Sequence, residues 1–311
     1  MAQSSQTIPP PASAPGPGDT DSGSAERCVV CNSGLPQRPV VEFGRCRLHA
    51  CPRCGSWTYL PRPNSADQSA IHDTGDYFDH PYFDLRRRLS PSIIRRCRYA
   101  FTQLGLAADS LRGQRVLDIG CDTGVFLQAA AQEFGIVPVG VDTASRAIAA
   151  AQQQGIEAYC APIEQAPEHL HDFPAITAID LIEHVAQPGD VLRAIRRRLR
   201  PGGALYLETP NIRSMVYQFG RALSHAVQPQ QLLERLFPPQ HVQYFTESSL
   251  AALCRSAGFE VVSIGRRALP WEDIATSFAV RAALAPLQLA DRIFGTEILI
   301  CAVLKRPLQD A

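Results

Sequence analysis

The chain has no surplus of either charge. Thirty lysines and arginines balance thirty aspartates and glutamates, so the formal net charge is zero. A general nucleic-acid binder would carry a basic excess, and the balance argues against one. No run of about 18 apolar residues occurs, which leaves nothing to cross a bilayer as a helix. The opening MAQSSQTIPPPASAPGPGDTDSGSA lacks the basic start and apolar core of a secretory signal. It is rich in Pro, Ser, Gly and Ala, too poor in apolar residues to form a core, and residues 1–26 are expected to be a disordered tail. The expected compartment is cytoplasmic. There, ten cysteines point to metal or free thiols rather than disulfides. The 311 residues, 45% of them hydrophobic, suffice for one large domain and one small one.

The small one falls at residues 27–60. Cys28-Val-Val-Cys31 and Cys51-Pro-Arg-Cys54 are two C-x-x-C knuckles, each placing two thiolates on one side of a turn. Two such turns complete a tetrahedron, so the pattern predicts a structural Zn²⁺ held by Cys28, Cys31, Cys51 and Cys54 in a zinc ribbon. So short a unit could hardly fold without such a staple. Cys46 and His49 are alternative ligands of poorer spacing.

Residues 61–89 read as a linker followed by the aromatic stretch DYFDHPYFDLRRR, an anchoring segment or a lid. The arginines of Arg95-Arg96-x-Arg98 are expected on a solvated helix face, a phosphate-bearing substrate being the alternative. From residue 115 onward short apolar runs alternate with helical stretches, the pattern of a parallel α/β sheet. Residues 211–240 interrupt the alternation with a helical, partly apolar insertion, whose Leu232, Leu233, Leu236 and Phe237 are expected to pack. Residues 271–291 read as apolar helix.

The organising stretch is RVLDIGCDTGVFL at residues 115–127. A buried strand ends at Asp118 and Ile119, Gly120 and Gly124 form a turn, and a helix starts at Val125. The turn exposes bare backbone and free N–H groups to a ligand. It lacks the three glycines of the dinucleotide fingerprint, and its acid repels a pyrophosphate but suits a cationic ligand. Asp142, roughly 20 residues on at the next strand end, suits ribose hydroxyls and also the capping of the following helix, with Thr143 beside it. Ile163 offers an apolar face and Glu164 a polar contact where an adenine ring would lie. Asp180, Glu183 and His184 follow the fourth strand. All these positions fall at the carboxyl ends of strands, where open α/β sheets bind ligands.

These pieces, with AITAIDLIEHVAQPGDVLRAIRRRLRPGGALYLETPN and HVQYFTESSLAALCRSAGFEV, stand in the order of the class I S-adenosylmethionine-dependent methyltransferases, which the chain resembles over about residues 100–305. Cys121-Asp122-Thr123 departs from the usual Gly-x-Gly, though Gly120 and Gly124 remain. The resemblance implies a domain at 90–311 with a Rossmann-like seven-stranded sheet whose last strand is antiparallel. It implies S-adenosylmethionine bound by Asp118, Gly120, Cys121, Gly124, Asp142, Thr143, Ile163, Glu164, Asp180 and Glu183. The E-H pair and the H-x-x-Y-F block resemble the subgroup that methylates small molecules such as quinone precursors, sugars or antibiotics, and O-methylation is favoured. His184 and then His241 are the expected proton acceptors, since a base near neutral pKa suits a nucleophile that sheds a proton. The rival readings are an RNA methyltransferase with a zinc-ribbon recognition module and a non-catalytic binding protein that keeps the fold.

Overall fold

The computed structural model describes residues 26–62, 89–106, 108–226, 229–269 and 278–309. The N-terminal tail and the aromatic stretch at 76–83 lie outside them. Three short strands come first: β1 (Val41–Phe43), β2 (Cys46–Ala50) and β3 (Trp57–Tyr59). Helices α1 (Pro91–Gln103) and α2 (Ala108–Leu111) lead to the alternating segment of β4 (Arg115–Ile119), α3 (Val125–Phe134), β5 (Val137–Asp142), α4 (Ser145–Gln153), β6 (Glu157–Cys160), β7 (Phe173–Ile179), α5 (Pro188–Arg198) and β8 (Leu199–Pro210). The insertion forms α6 (Met215–Ala226) and α7 (Gln230–Leu236). After it come β9 (Gln243–Tyr244), α8 (Glu247–Ser256), β10 (Glu260–Arg267), α9 (Phe278–Phe294) and β11 (Leu299–Lys305).

The large sheet has seven strands in the order β10-β11-β8-β7-β4-β5-β6. Strands β8, β7, β4, β5 and β6 run parallel, and β11 is antiparallel to both of its neighbours. Its central strands are buried on both faces, which is why they read as continuous apolar runs. Leu117, Ile176 and Leu205 face one core with Leu192 and Ile195 of α5 and Leu250 and Leu253 of α8. Val116, Ala175 and Tyr206 face the other with Phe101 of α1, Leu127 of α3 and Ile148 of α4. The Pro201-Gly202-Gly203 segment does not interrupt β8. Gly202, at φ +75°, donates its N–H to Arg306 O, so the strand starts as early as Leu199. Thr246 caps α8 in a capping box with Ser249, as its Thr-Glu-Ser-Ser start implies.

The first three strands are joined to the C-terminal part of the chain. A second sheet runs β1-β2-β3-β9, with Trp57 opposite Tyr244 and Thr58 opposite Gln243. Leu233 and Phe237 of the insertion are buried among Val41, Phe43, Trp57, Tyr217 and Tyr244, so the insertion and the cysteine-bearing unit share one core. Leu236 packs against the same cluster, whereas Leu232 is half-buried outside it.

One expectation is corrected at α1. Arg96 is not on a solvated face. Its side chain is 16% exposed and pairs with Asp180 at 2.8 Å and Glu208 at 2.5 Å. The helix buries Cys97, Ala100 and Phe101, with Ile93 packed beside them, and the same helical spacing carries Arg96 inward. Burial works against the guanidinium's charge, but the two carboxylates hold its pKa above the usual arginine range. Arg98, paired with Glu133, does stay on the surface, 61% exposed. Removing one partner of a buried ion cluster leaves uncompensated charge, which costs about 3–5 kcal/mol. Arg96→Leu should therefore lower the urea midpoint strongly and Arg98→Leu hardly at all. Equal midpoints for the two variants would show that the buried charges do not hold α1 in place.

Candidate active site

The carboxyl ends of β4, β5, β7 and β8 form one edge of the large sheet, and most of the expected ligand residues lie along it. After β4 the chain turns at Gly120 (φ +75°) and Gly124 (φ +80°). A Cβ on Gly124 would stand 2.3 Å from Ile156 Cδ1, so only glycine fits this left-handed entry to α3. No side chain caps α3, which leaves the N–H groups of its first turn directed at the edge without a side-chain partner. Gly120 N–H and Cys121 N–H donate to Val141 O, at 2.8 and 3.3 Å. Asp142 accepts the N–H of Asp122 on one oxygen and that of Ala144 on the other, both at 2.9 Å. Its carboxylate thus ties the glycine turn to Ala144, the N-cap residue of α4; that helix has no side-chain cap, so the capping foreseen for Asp142 is not made, and Thr143 follows it at intermediate exposure.

Asp118 is 4% exposed and accepts a 2.5 Å hydrogen bond from Thr177 Oγ1 of the adjacent strand. Burial pushes its pKa up from 3.8 to about 7, against the opposing pull of that hydrogen bond. Cys121 is buried against Gly140, and Ile163 is 3% exposed within the sheet core, while Glu164 is exposed. Asp180 follows β7 at φ +52° and is engaged by Arg96. The structure thus gathers Asp118, Gly120, Cys121, Gly124 and Asp142 around one turn.

A second group forms beside them. The single turn Ile182–His184 follows β7, and the backbone N–H of Val242, just before β9, donates to Glu183 O at 2.9 Å. This brings His241 to His184, with ring centroids 4.6 Å apart and planes at 89°. One ligand-capable atom each from Glu183, His184 and His241 lies within 4.8 Å of the others. Glu183 is 1% exposed, and its Oε2 accepts from Thr209 Oγ1 at 2.8 Å. Burial, with Asp180 adding to it, raises its pKa from 4.5 to about 8. His184 Nδ1 stands 3.0 Å from Gln240 O. A carbonyl only accepts, so Nδ1 carries a hydrogen, and the neutral form of this ring has its lone pair on Nε2.

At the other end of β3, the four cysteine sulfurs lie within 4.8 Å of one another, with Cys28–Cys54 at 3.5 Å and Cys31–Cys51 at 3.4 Å. Thiolates about 2.3 Å from a tetrahedral ion would stand slightly farther apart, so the set fits zinc. Hydrogen bonding from Cys54, with Ser56 adding to it, pulls the Cys28 thiol well below its usual range. Cys46 is buried in the neighbouring core, and His49 Nδ1 donates to Pro36 O at 2.8 Å, so neither belongs to the cluster. A cleft of about 460 Å³ lies between this unit and the insertion, lined by Gly55, Trp57, Arg213 and Arg221 among others.

Sequence reading missed Thr177, Thr209 and Arg96. The first two sit in apolar strands at positions where a lone threonine reads as strand propensity. Arg96 was signalled by its place on the apolar helical stripe.

Residues 84–264 match the model of a methyltransferase-domain family. The chain is 30% identical over 183 residues to the ubiquinone biosynthesis O-methyltransferase of Bordetella avium, covering 56% of this chain and 72% of that one. It is 34% identical over 161 residues to the Pseudomonas aeruginosa enzyme of the same name, covering 50% and 68%. Among solved structures, Haemonchus contortus phosphoethanolamine N-methyltransferase 2 with S-adenosyl-L-methionine superposes with a TM-score of 0.56 at 17% identity, over 81% of this chain and 62% of that one. A SAM-dependent methyltransferase from Thermotoga maritima does so at 0.52 and 18%, over 76% and 99%. These structures share the fold.

The Asp118 carboxyl holds its proton more readily folded than unfolded. Its contribution to stability is therefore full below about pH 4 and is lost as pH rises toward 7, at about 1.4 kcal/mol per pKa unit. Asp118→Asn should gain stability over the wild type as pH climbs from 5 to 8. Urea unfolding at several pH values measures this, and a difference independent of pH would rule out a buried titrating carboxyl.

Proposed function

Since the chain belongs to the methyltransferase-domain family, we propose that it transfers a methyl group from S-adenosylmethionine to a hydroxyl of a small acceptor. The observation that carries this reading is the Glu183–His184–His241 group beside the glycine turn. The donor lies along the turn, its ribose on Asp142 and its cationic methionyl end toward Asp118, whose negative form it favours. Gly120, Cys121, Gly124, Thr143, Ile163, Glu164, Asp180 and Glu183 complete the expected donor contacts. The acceptor oxygen attacks the methyl carbon in line. A C–O bond forms as the C–S bond breaks, sulfur leaves with the electron pair as a neutral thioether, and the hydroxyl proton is lost at the histidine pair. The chain contributes positioning, a dry edge and a route for that proton. The named activity of the two bacterial relatives supports an O-nucleophile, and quinone-like phenols are the favoured acceptors, with sugars and secondary metabolites next. Among the described residues no helix is long and apolar enough to cross a membrane.

Asp142→Ala should weaken S-adenosylmethionine binding by about 1–3 kcal/mol, read by calorimetry. His184→Ala should leave that affinity nearly unchanged and lower turnover of labelled donor with a panel of catechols and sugars. Unchanged donor affinity in the first variant, or wild-type turnover in both His184→Ala and His241→Ala, would overturn the assignment.

The cysteine cluster, on this reading, carries one structural Zn²⁺. Because β3 pairs with β9, the ion also steadies the segment that bears His241. Cys28→Ser should lose the zinc by metal analysis and lower turnover while donor affinity survives. Full zinc content in this variant would exclude the site.

A further inference from the structure

None of the expected donor contacts lines the cleft between the cysteine-bearing unit and the insertion. Its walls come from Trp57 of β3, Ile212 and Arg213 just after β8, Gln218 and Arg221 of α6, and Thr296 ahead of β11. Its volume of about 460 Å³ suits a whole organic ligand rather than a single ion, since such sites run to roughly 300–1,000 Å³. The charge of the lining is one-sided. In a chain of zero formal net charge, it carries two arginines and no acid. Among the described residues neither guanidinium has a carboxylate partner. The Arg221 guanidinium stands 5.9 Å from the centroid of the Trp57 ring, a contact that orients the cation and leaves its charge intact. Asp291, bonded to Thr296, is 3% exposed, and its oxygens are taken by Ser214 Oγ, Met215 N–H and Thr296 Oγ1. The apolar part of the lining, Trp57 and Ile212, is buried, while both arginines are exposed.

We propose that this cleft binds a phosphate ester, with its oxygens on Arg213 and Arg221 and its organic part against Trp57 and Ile212. The planar guanidinium fork matches phosphate oxygens two at a time. A phosphate monoester carries close to two negative charges at neutral pH, which answers both arginines, whereas a lone carboxylate answers one. Trp57 stands opposite Tyr244 across the β3–β9 pair, and the Tyr244 ring lies 5.6 Å from that of His241. The cleft and the histidine pair therefore share one wall. On the methyl-transfer reading, which this last step alone needs, the phosphate ester is the remote end of the acceptor.

Calorimetry on the full-length, zinc-loaded chain uses pyrophosphate and phenyl phosphate as probes, with phenol as the uncharged control. The wild type should bind both phosphates and not phenol, with affinity falling as NaCl rises. Arg213→Gln and Arg221→Gln should each weaken phosphate binding at least tenfold, with retained S-adenosylmethionine affinity reporting the fold. Arg235→Gln, on α7 and outside the cleft, should leave it unchanged. No phosphate binding by the wild type, or an equal loss in Arg235→Gln, overturns the site. Vesicles separate two sources of the ester. Sedimentation with phosphatidylglycerol and not with phosphatidylcholine vesicles, lost in both cleft variants, makes it a lipid headgroup; no sedimentation makes it a soluble ester. In the transfer assay, pyrophosphate should compete with phosphorylated sugars and phenols, and Arg213→Gln should raise their KM with little change in kcat. Pyrophosphate bound without such competition overturns the acceptor step. Donor binding and catechol methylation with no phosphate binding sinks the cleft and keeps the methyltransferase. Phosphate bound at the two arginines with no donor affinity keeps the cleft and sinks the activity.

Discussion

The guanidinium of Arg96 is the fixed point of the sheet edge. It bridges Asp180, just past β7, and Glu208, inside β8, so that α1 is locked across two parallel strands by charge. The fully buried Glu208 could not stay ionised there alone, since burial raises the cost of its charge. Arg267 reaches Glu208 from β10 at 3.1 Å, and Tyr206 donates to the same carboxylate at 2.5 Å. Burial alone would raise the Glu208 pKa, but the two arginines overcome it and hold it below the usual carboxylate range. With the ends of β7 and β8 set in this way, the turn from Leu181 to His184 starts from a rigid base, and Glu183 meets Thr209 of β8 at hydrogen-bond distance.

The opposite wall is built by a different force. Strand β9 has two residues and could not persist alone. Backbone pairing holds it from two directions: Val242 donates to Glu183 O, while its own carbonyl accepts from Tyr59 N at 3.0 Å. The buried Thr58 hydroxyl donates to Gln243 Oε1 at 3.0 Å, and Thr246 Oγ1 donates to Cys54 O at 3.4 Å. His241 is thus one residue from a segment clamped between the cysteine-bearing unit and the large sheet. The unit serves the site as a brace, and its shared core with α6 and α7 makes brace and insertion one body.

How much of this was legible follows from the range of each interaction. The strands of the large sheet were readable because burial on both faces demands unbroken apolar runs, and the antiparallel last strand came with the family resemblance. The cysteine knuckles were readable because ligand spacing is local. The pairing of β3 with β9 joins residues about 185 apart, and no local pattern announces it. Asp180 read as a ligand residue because it ends a strand, yet its partner sits 84 positions earlier on a helix. Glu183 and His184 were visible as a pair; their meeting with His241 depended on that same long-range strand.

Stability and function pull in opposite directions along this edge. Asp118 is buried beside one hydroxyl, short of the partners that would hold a carboxylate at its ordinary pKa. An apolar residue there would fold better, but it would offer nothing to a cation. A positively charged ligand reverses the balance, because it favours the ionised form that burial opposes, and its binding is then coupled to release of the Asp118 proton. Gly124 shows the same logic in the backbone. Its left-handed conformation beside Ile156 is costly for any other residue, and it opens the start of α3 to a ligand. Local rules are broken where the sheet presents its ligand edge and are obeyed in the strands that support it, which is the pattern expected when folding has been compromised for binding.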